Sequence, residues 1–489
     1  MSTTTVAPRT SHIPLAATGL GLGMLLSVLD QTIVGIAIPD IATDLGTVGS
    51  LSWIVTCYVL ASTATSALYG RLSDRFGRRD VFLTAVGIFT IASALCGIAD
   101  SLAELVLYRT LQGIGAGALF TIPTIAVAEL FPIALRSRVQ GAVGAIFAIA
   151  AVSGPLLGGL ITDTLGWRWI FYVNVPLGIL SMALVGTALR LPRSRSTARL
   201  DLVGSVLLVG TVIGVLVITE WSSGSHPAGF ILGLAAAVVV LIGGFIWWER
   251  RFSDPVLPLH LFTHRGTGTV LASTLVLGAL MYASIVYLPT YLRAAFDMSA
   301  TAAGLALNPY VVAFVAASFL SGAFAGRTGK YRWLLTIGAA VICIGFLMLG
   351  LLDAESSYPV VALDLIMLGI GVGTILQLLV TVAQNTAATP DLAAVTAAAL
   401  SMRGLGMSLG LAIFGRILSH QLPANPAPPT TADAIPHALL WTLPLAVLLL
   451  TLTFLIPTPA DDSEPRHRKR KPGHPTGPVD QFRRIEELR

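Results

Sequence analysis

The sequence predicts an all-α polytopic membrane protein of fourteen helices, built as two six-helix halves with two extra helices between them. Three observations carry this prediction: too little charge for a water-facing surface, about fourteen apolar stretches of membrane-crossing length, and a loop motif that occurs twice. Of 489 residues, 55% are hydrophobic and 11% charged, with a mean hydropathy of +0.81. Soluble domains carry about 25% charged residues, so most of this surface must face lipid. The net charge of +5 does not point to nucleic acid, because the basic residues sit in short loops and a tail. Cys57, Cys96 and Cys343 each lie inside an apolar run without metal-ligand spacing and read as small core hydrophobes.

A crossing needs about 20 mostly apolar residues. The first stretch, near 14–38, is too long for a signal-peptide core and lacks a small-residue cleavage site, so it reads as a retained span. Stretches near 51–69, 81–99, 102–128, 139–161 and 170–190 follow and complete a first set of six. Two more lie near 202–220 and 228–248, and a last set lies near 267–291, 301–325, 333–352, 360–384, 394–418 and 437–456. The ~10-residue alternating segments of a β-barrel are not seen. The expected divisions are residues 1–192 for the N-terminal half, 193–265 for the inserted helices and their linkers, and 266–457 for the C-terminal half. Residues 458–489 form a polar, basic tail with no apolar period and are expected to be disordered.

Arginine placement gives the orientation, because cytoplasmic loops carry the excess of basic residues. One set of loops holds Arg71, Arg75, Arg78 and Arg79, then Arg136 and Arg138, then Arg193, Arg195 and Arg199. The same side continues with Arg250, Arg251 and Arg265, then Arg327, Lys330 and Arg332. The opposite loops hold Asp40, Asp44, Asp100, Asp353, Glu355 and Asp433, with Arg168 and Arg293 as exceptions. The basic side is expected to be cytoplasmic, and an even number of crossings puts both termini there. The tail is solvated and enforces this topology, or it touches anionic lipid.

The repeat fixes the span arithmetic. GRLSDRFGRRD runs from Gly70 to Asp80 after the second span, and GAFAGRTGKYR from Gly322 to Arg332 after the tenth. Gly70 aligns with Gly322, Arg75 with Arg327, Gly77 with Gly329 and Arg78 with Lys330, while Asp74 stands opposite Gly326. If the second and tenth spans correspond, the first six match the last six, and the seventh and eighth are inserted. Two halves related by an axis along the membrane normal are a known transporter plan.

Asp30 lies well inside the first span, where an ionised carboxylate costs several kcal/mol. It must protonate or find a cation, unless it is solvated near a helix end or hydrogen-bonded by Thr32. Arg109 in the fourth span is the matching cation: both residues lie roughly 10–12 Å below the outer surface at 1.5 Å per residue. Equal depth permits a pair, with satisfaction of backbone carbonyls as the alternative role for Arg109. Asp364 and Arg403 are further charges in the twelfth and thirteenth spans. Gln31, Asn174, Asn308 and Gln377 are candidate cavity groups or plain interhelical hydrogen bonders. Gly154, Pro155 and Gly158 in the fifth span combine a kink with close helix approach. No Walker loop, metal-ligand cluster or Ser/His/Asp set marks an enzyme, no cofactor is implied, and an ion gradient is the expected energy source.

The ordered motifs LDQTIVGIAIP from Leu29, GRLSDRFGRR, RTLQGIGAGA from Arg109, SGPLLGG from Ser153, WRWIFYVNVPLG from Trp167 and SMRGLGMSLG from Ser401 resemble the fourteen-helix drug:proton antiporters of the QacA and EmrB type, in the major facilitator superfamily. The resemblance covers nearly the whole chain. It implies the major facilitator fold and export of hydrophobic or amphipathic small molecules against protons across the cytoplasmic (inner) membrane by a monomer. Dedicated export of an endogenous metabolite, siderophore or lipid is the alternative. It also implies that Arg109 is linked to proton movement, and that Gly154, Pro155 and Gly158 mark exporters. By the same resemblance, Gly70, Asp74, Arg75, Gly77, Arg78 and Arg79 latch the two halves at the cytoplasmic face, with Asp74 at a helix N-terminus of the opposite half.

Overall fold

The computed structural model describes residues 13–45, 52–189, 201–222, 227–252, 255, 259–353, 355–387, 391–421 and 428–457. The basic tail at 458–489 and the linker at 190–200 lie outside them. The regular structure among the described residues is helical: α1 (Ile13–Leu45), α2 (Ser52–Phe76), α3 (Arg78–Gly97), α4 (Leu102–Leu130), α5 (Ile133–Leu165), α6 (Trp169–Tyr172) and α7 (Asn174–Ala188) come first. Next come α8 (Leu202–Ser222), α9 (Ala228–Glu249) and a single turn, α10 (His260–Thr263). The remainder are α11 (Arg265–Phe296), α12 (Ala300–Ala306), α13 (Asn308–Thr328), α14 (Tyr331–Leu349), α15 (Tyr358–Thr386), α16 (Leu392–Gln421), α17 (Pro428–Leu440) and α18 (Leu443–Phe454).

Three expected spans are helix pairs, and prolines explain the breaks. A proline lacks the N–H and its ring clashes with the carbonyl four residues back. Four residues before Pro176 is Tyr172, the end of α6, and four before Pro444 is Leu440, the end of α17. Pro309 likewise opens α13 just past the end of α12. Nine segments among the described residues are long and apolar enough to cross a membrane, and five shorter apolar ones lie in α2, α5, α8, α11 and α16. Each of the fourteen stretches read from the sequence overlaps one of these segments.

The packing partners repeat along the chain. Helix α4 packs on α2 and α3 as α15 packs on α13 and α14; α1 packs on α5 and α7 as α11 packs on α16 and α18. Glycines make the repeat close-fitting. Gly113 of α4 meets the carbonyl of Tyr58 and the side chain of Ala61, and Gly369 of α15 meets the same atoms of Tyr310 and Ala313. Gly115 lies on the backbone at Ala85 and Phe89, and Gly371 on the backbone at Gly338 and Ile342. The two runs, GIGAG and GIGVG, thus hold equivalent helices at backbone contact.

Two seams join the sets, α2 against α16 and α5 against α13. Gly70 of α2 faces Ala393 and Ala397 of α16, while Gly322 of α13 faces Ser137 and Gly141 of α5. Ser66 and Ser401 add a hydrogen bond of 2.9 Å across the first seam. These close approaches lie at the helix ends beside the arginine-rich turns. Helices α8 and α9 pack on each other, and α8 lies against α2 and α16, with Val212 buried beside Leu60 and Ala64. Asp201 ties the pair together by accepting from the Gly204 N–H at 2.7 Å and from Trp248 Nε1 at 2.8 Å.

The repeated motif is not a loop over its whole length. Residues from Gly70 to Phe76 continue α2, and the turn is confined to Gly77, with φ of 94°. Gly329 has φ of 66° at the equivalent place after α13. Only a residue without Cβ takes these angles without strain. The Asp74–Arg78 pair spans this turn and ties the end of α2 to the start of α3.

Candidate functional site

The site is a closed polar network inside the first set of helices. Arg109 and Gln112 are three residues apart on α4 and so share a face. Gly113, one position on, brings α4 onto the backbone of α2 at Tyr58, so the Arg109 side chain lies over that ring. Its guanidinium carbon is 4.1 Å from the Tyr58 ring centroid and 5.8 Å from that of Phe171. Arg109 Nη1 donates to Asp30 Oδ2 at 2.6 Å and to Gln112 Oε1 at 2.7 Å, and Nε donates to the Ile54 carbonyl at 3.2 Å. Asp30 Oδ1 accepts from Gln112 Nε2 and Asn174 Nδ2, each at 2.8 Å. Ser93 Oγ accepts from the same two amides, each at 3.1 Å, and donates to the Phe171 carbonyl at 2.9 Å. Asp30, Ser93, Arg109, Gln112 and Asn174 are each at most 1% exposed.

Every polar group around Asp30 is a donor, the environment an ionised carboxylate needs in a low-dielectric interior. Removing one partner of such a buried pair strands the other charge, at a cost of about 3–5 kcal/mol. The depth argument from sequence therefore ends in a direct ion pair, with two amides and a hydroxyl completing it.

Close to this network, α5 passes α1 at van der Waals contact. Gly154 faces Thr32 and Gly158 faces Ile33, and a Cβ at Gly154 would collide with the Thr32 hydroxyl. The helix runs through Pro155 without interruption. Thr32 Oγ1 bonds its own helix at Val28 and Leu29 and the Ala150 carbonyl of α5 at 3.4 Å. It does not bond Asp30, which lies two residues before it.

At the basic turn, Arg78 is the centre. It pairs with Asp74 and with Glu129 of α4, donates to Glu129 at 2.7 Å, and bonds the Ser73 hydroxyl. Arg79 donates to the Gly186 carbonyl of α7. Arg75 is exposed, with Phe76 beside it. Burial pushes the Asp74 carboxyl above its usual range, opposed by the Arg78 charge. Among the described residues the partner of Asp74 is Arg78, within its own set of helices, and not a helix N-terminus of the other set. The reason is proximity: the two stand four residues apart, on either side of the Gly77 turn.

A family model described as Major Facilitator Superfamily matches residues 20–411 and 270–484. The chain belongs to the major facilitator superfamily. An uncharacterised MFS-type transporter of Mycobacterium tuberculosis is 34% identical over 421 residues, 86% of this chain and 61% of that protein. The chain thus spans 61% of the length of that mycobacterial relative. The multidrug transporter protein MdtP of Bacillus subtilis is 31% identical over 407 residues, 83% of this chain and 75% of that protein. The crystal structure of the human organic anion transporter MFSD10 (TETRAN) superposes with a TM-score of 0.64 at 18% identity, over 90% of this chain and 99% of that one. The chain thus has the all-helical major facilitator fold, with nine segments among the described residues long and apolar enough to cross a membrane.

On this major facilitator fold the remaining candidates fall in three environments. Arg403 of α16 is buried, with its guanidinium carbon 4.7 Å from the Phe120 ring centroid of α4, and so lies between the two sets. Gln377 of α15 is buried against Gly144 of α5, and neither of its amide atoms has a hydrogen-bond partner. Asp364 is fully buried in α15 with both carboxyl oxygens unpartnered, which removes the solvated reading. Asn308 is exposed at the α12–α13 break and Gln31 is half-buried. Asn174 is part of the Asp30 network. Arg168, an exception to the arginine rule, is neutralised by Asp44 at 2.5 Å and lies near Asp100 at 3.8 Å. Hydrogen bonds from Arg168 and then Trp167 hold the Asp44 carboxyl below its ordinary value.

Gln112, Ser93, Tyr58 and Glu129 were not singled out from the sequence. Gln112 was within reach, since it stands in RTLQGIGAGA on the face of Arg109. Ser93 and Glu129 carried no local signal, because their partners are 19 and 51 residues away along the chain.

Proposed function

We propose that this transporter is a proton-coupled antiporter that exports hydrophobic or amphipathic small molecules across the cytoplasmic membrane. It crosses fourteen times with both termini cytoplasmic, acts as a monomer, and is of the QacA and EmrB type. Residues 1–192 and 266–457 are its two six-helix halves, and 193–265 the inserted pair. The observation that carries the reading is the fully buried Asp30–Arg109 pair at 2.6 Å. Such a pair is a costly element in a membrane interior, and it suits a carrier whose carboxylate takes and releases a proton while the arginine, which does not deprotonate, stays charged. The seams support the transport cycle. Their close approaches among the described residues are made by glycine, alanine and serine, which suits halves that part as rigid bodies. The turn at Gly77 and the Arg78 cluster would brace the N-terminal half during that motion, with Arg403 against Phe120 as a contact across it. The name multidrug transporter of the Bacillus relative supports the substrate class.

The test is export from proteoliposomes carrying an imposed pH gradient and a panel of lipophilic dyes and drugs. Flux is expected to follow the gradient without ATP, and Asp30→Asn is expected to abolish it while substrate binding persists. Full proton-driven flux in folded Asp30→Asn protein would refute the assignment. Wild-type flux of a metabolite or lipid with none of the panel would move the substrate class to endogenous products.

A further inference from the structure

One atom of the buried network has no partner: Asn174 Oδ1, an acceptor on a side chain that is 0% exposed. The amide orientation around it is determined. Ser93 gives its only hydroxyl hydrogen to the Phe171 carbonyl, so Ser93 Oγ can only accept from Asn174, and Asp30 Oδ1 accepts from the same nitrogen. Gln112 is fixed as well, because its Oε1 takes the Arg109 Nη1 hydrogen. An orphaned buried acceptor is costly and calls for an explanation. Here it sits on the amide that touches Asp30 Oδ1.

We propose that Asn174 is the proton-state switch of the site: when Asp30 is protonated, the Asn174 amide turns over and its Oδ1 accepts the new O–H. This rests on the proton-coupling reading above. A proton from bulk water adds to Asp30 Oδ1, and no bond between heavy atoms changes. The new O–H cannot donate to Arg109 or to the Gln112 N–H, which are donors themselves. A half-turn about the Asn174 amide exchanges Nδ2 for Oδ1 and provides an acceptor at the 2.8 Å distance already present, and the Ser93 hydroxyl, 3.1 Å from the same position, turns from the Phe171 carbonyl to donate to that oxygen as well. The charge of the pair rises from zero to one positive. Arg109 keeps Gln112 Oε1, the Ile54 carbonyl and the Tyr58 ring face, so its charge is not stranded. The titratable or charged groups facing the site are Arg109 from α4, Tyr58 and Cys57 from α2, and Cys96 from α3, whose Sγ lies 3.6 Å from Gln112 Oε1. Helix α5 presents Ala150 and Gly154 near Thr32, and α7 presents Asn174 itself. Asn174 is the first residue of α7, directly after the break from α6, so its rotation acts at a joint in the chain.

The test is infrared difference spectroscopy of the purified full-length protein across a pH titration, paired with proteoliposome flux. A carboxyl C=O band that titrates in wild type and is lost in Asp30→Asn reports protonated Asp30. In Asn174→Leu that band is expected to move to higher frequency, since its O–H has lost the acceptor, and proton-driven export is expected to fall by several-fold to about tenfold, the scale of one lost hydrogen bond. If Asn174→Leu does not fold, Asn174→Ala reads the same band. An Asp30 band at the wild-type frequency in the folded variant overturns the switch and leaves proton coupling standing. Full flux in Asp30→Asn overturns the coupling reading itself.

Discussion

A Cβ added at Gly70 would lie 2.9 Å from the Ala397 Cβ and 3.2 Å from the Ala393 carbonyl oxygen. At Gly322 it would strike the Ser137 carbonyl and lie 3.4 Å from the Gly141 Cα. Ordinary contact is wider than these distances, and in both cases the obstructing atoms belong to the other set of helices. The substitutions Gly70→Ala and Gly322→Ala therefore leave each half unstrained and force the halves apart at the basic side. Overpacking of this kind costs about 1–3 kcal/mol. Charged entirely to the state closed on that side, it moves the equilibrium toward the state open there by about 5–150-fold. The effect at Gly322 should be the larger, because backbone cannot yield as a methyl group can. The assay is labelling of single cysteines placed on the basic-side faces of α5 and α16, with the melting temperature of each variant as control. Faster labelling at an unchanged melting temperature is the expected result. A variant that loses stability without gaining accessibility would show that the glycines serve packing within a half, and would refute the account of the seams.

Two further outcomes follow from individual contacts. Gly154→Ala drives a methyl into Thr32 beside Asp30 and is expected to cut flux severely; Thr32→Ala in the same protein, which removes the struck hydroxyl, should restore part of it, and no rescue would place the defect elsewhere. Asp364→Leu replaces a fully buried carboxyl without partners and is expected to raise the melting temperature, since an unsatisfied buried polar group costs about 1–3 kcal/mol; a lower melting temperature would reveal a partner for it.

Much of the fold was legible because lipid imposes a simple rule on sequence. The apolar stretches fall on the helices, and the arginine turns repeat where the chain repeats. Gly70 and Gly77 were visible as glycines of a motif, but their different tasks were not: one is a contact between halves and the other a left-handed turn. That distinction depends on what lies across the seam, and local sequence does not record it. The second repeat, GIGAG with GIGVG, went unread for the same reason, since its meaning is the neighbouring backbone. Asp30 and Arg109 could be matched by depth because helix rise is constant. Ser93 and Asn174 could not be tied to them, because polar residues in a span are equally at home in many packing contacts. The proline breaks were legible in principle, four residues ahead of Pro176 and Pro444.

The cradle of Arg109 has an electrical consequence. With Asp30 ionised the buried pair is neutral, so the membrane voltage exerts no net force on it. With Asp30 protonated, the guanidinium between Tyr58 and Phe171 is the one remaining charge of the pair. A unit charge crossing the full membrane gains or loses about 2.3 kcal/mol per 100 mV. In the proposed cycle, then, the voltage acts on the proton-loaded half of each turnover and leaves the return nearly untouched. The residues that hold the arginine when its partner is neutralised are the ones that make the carrier sensitive to the potential.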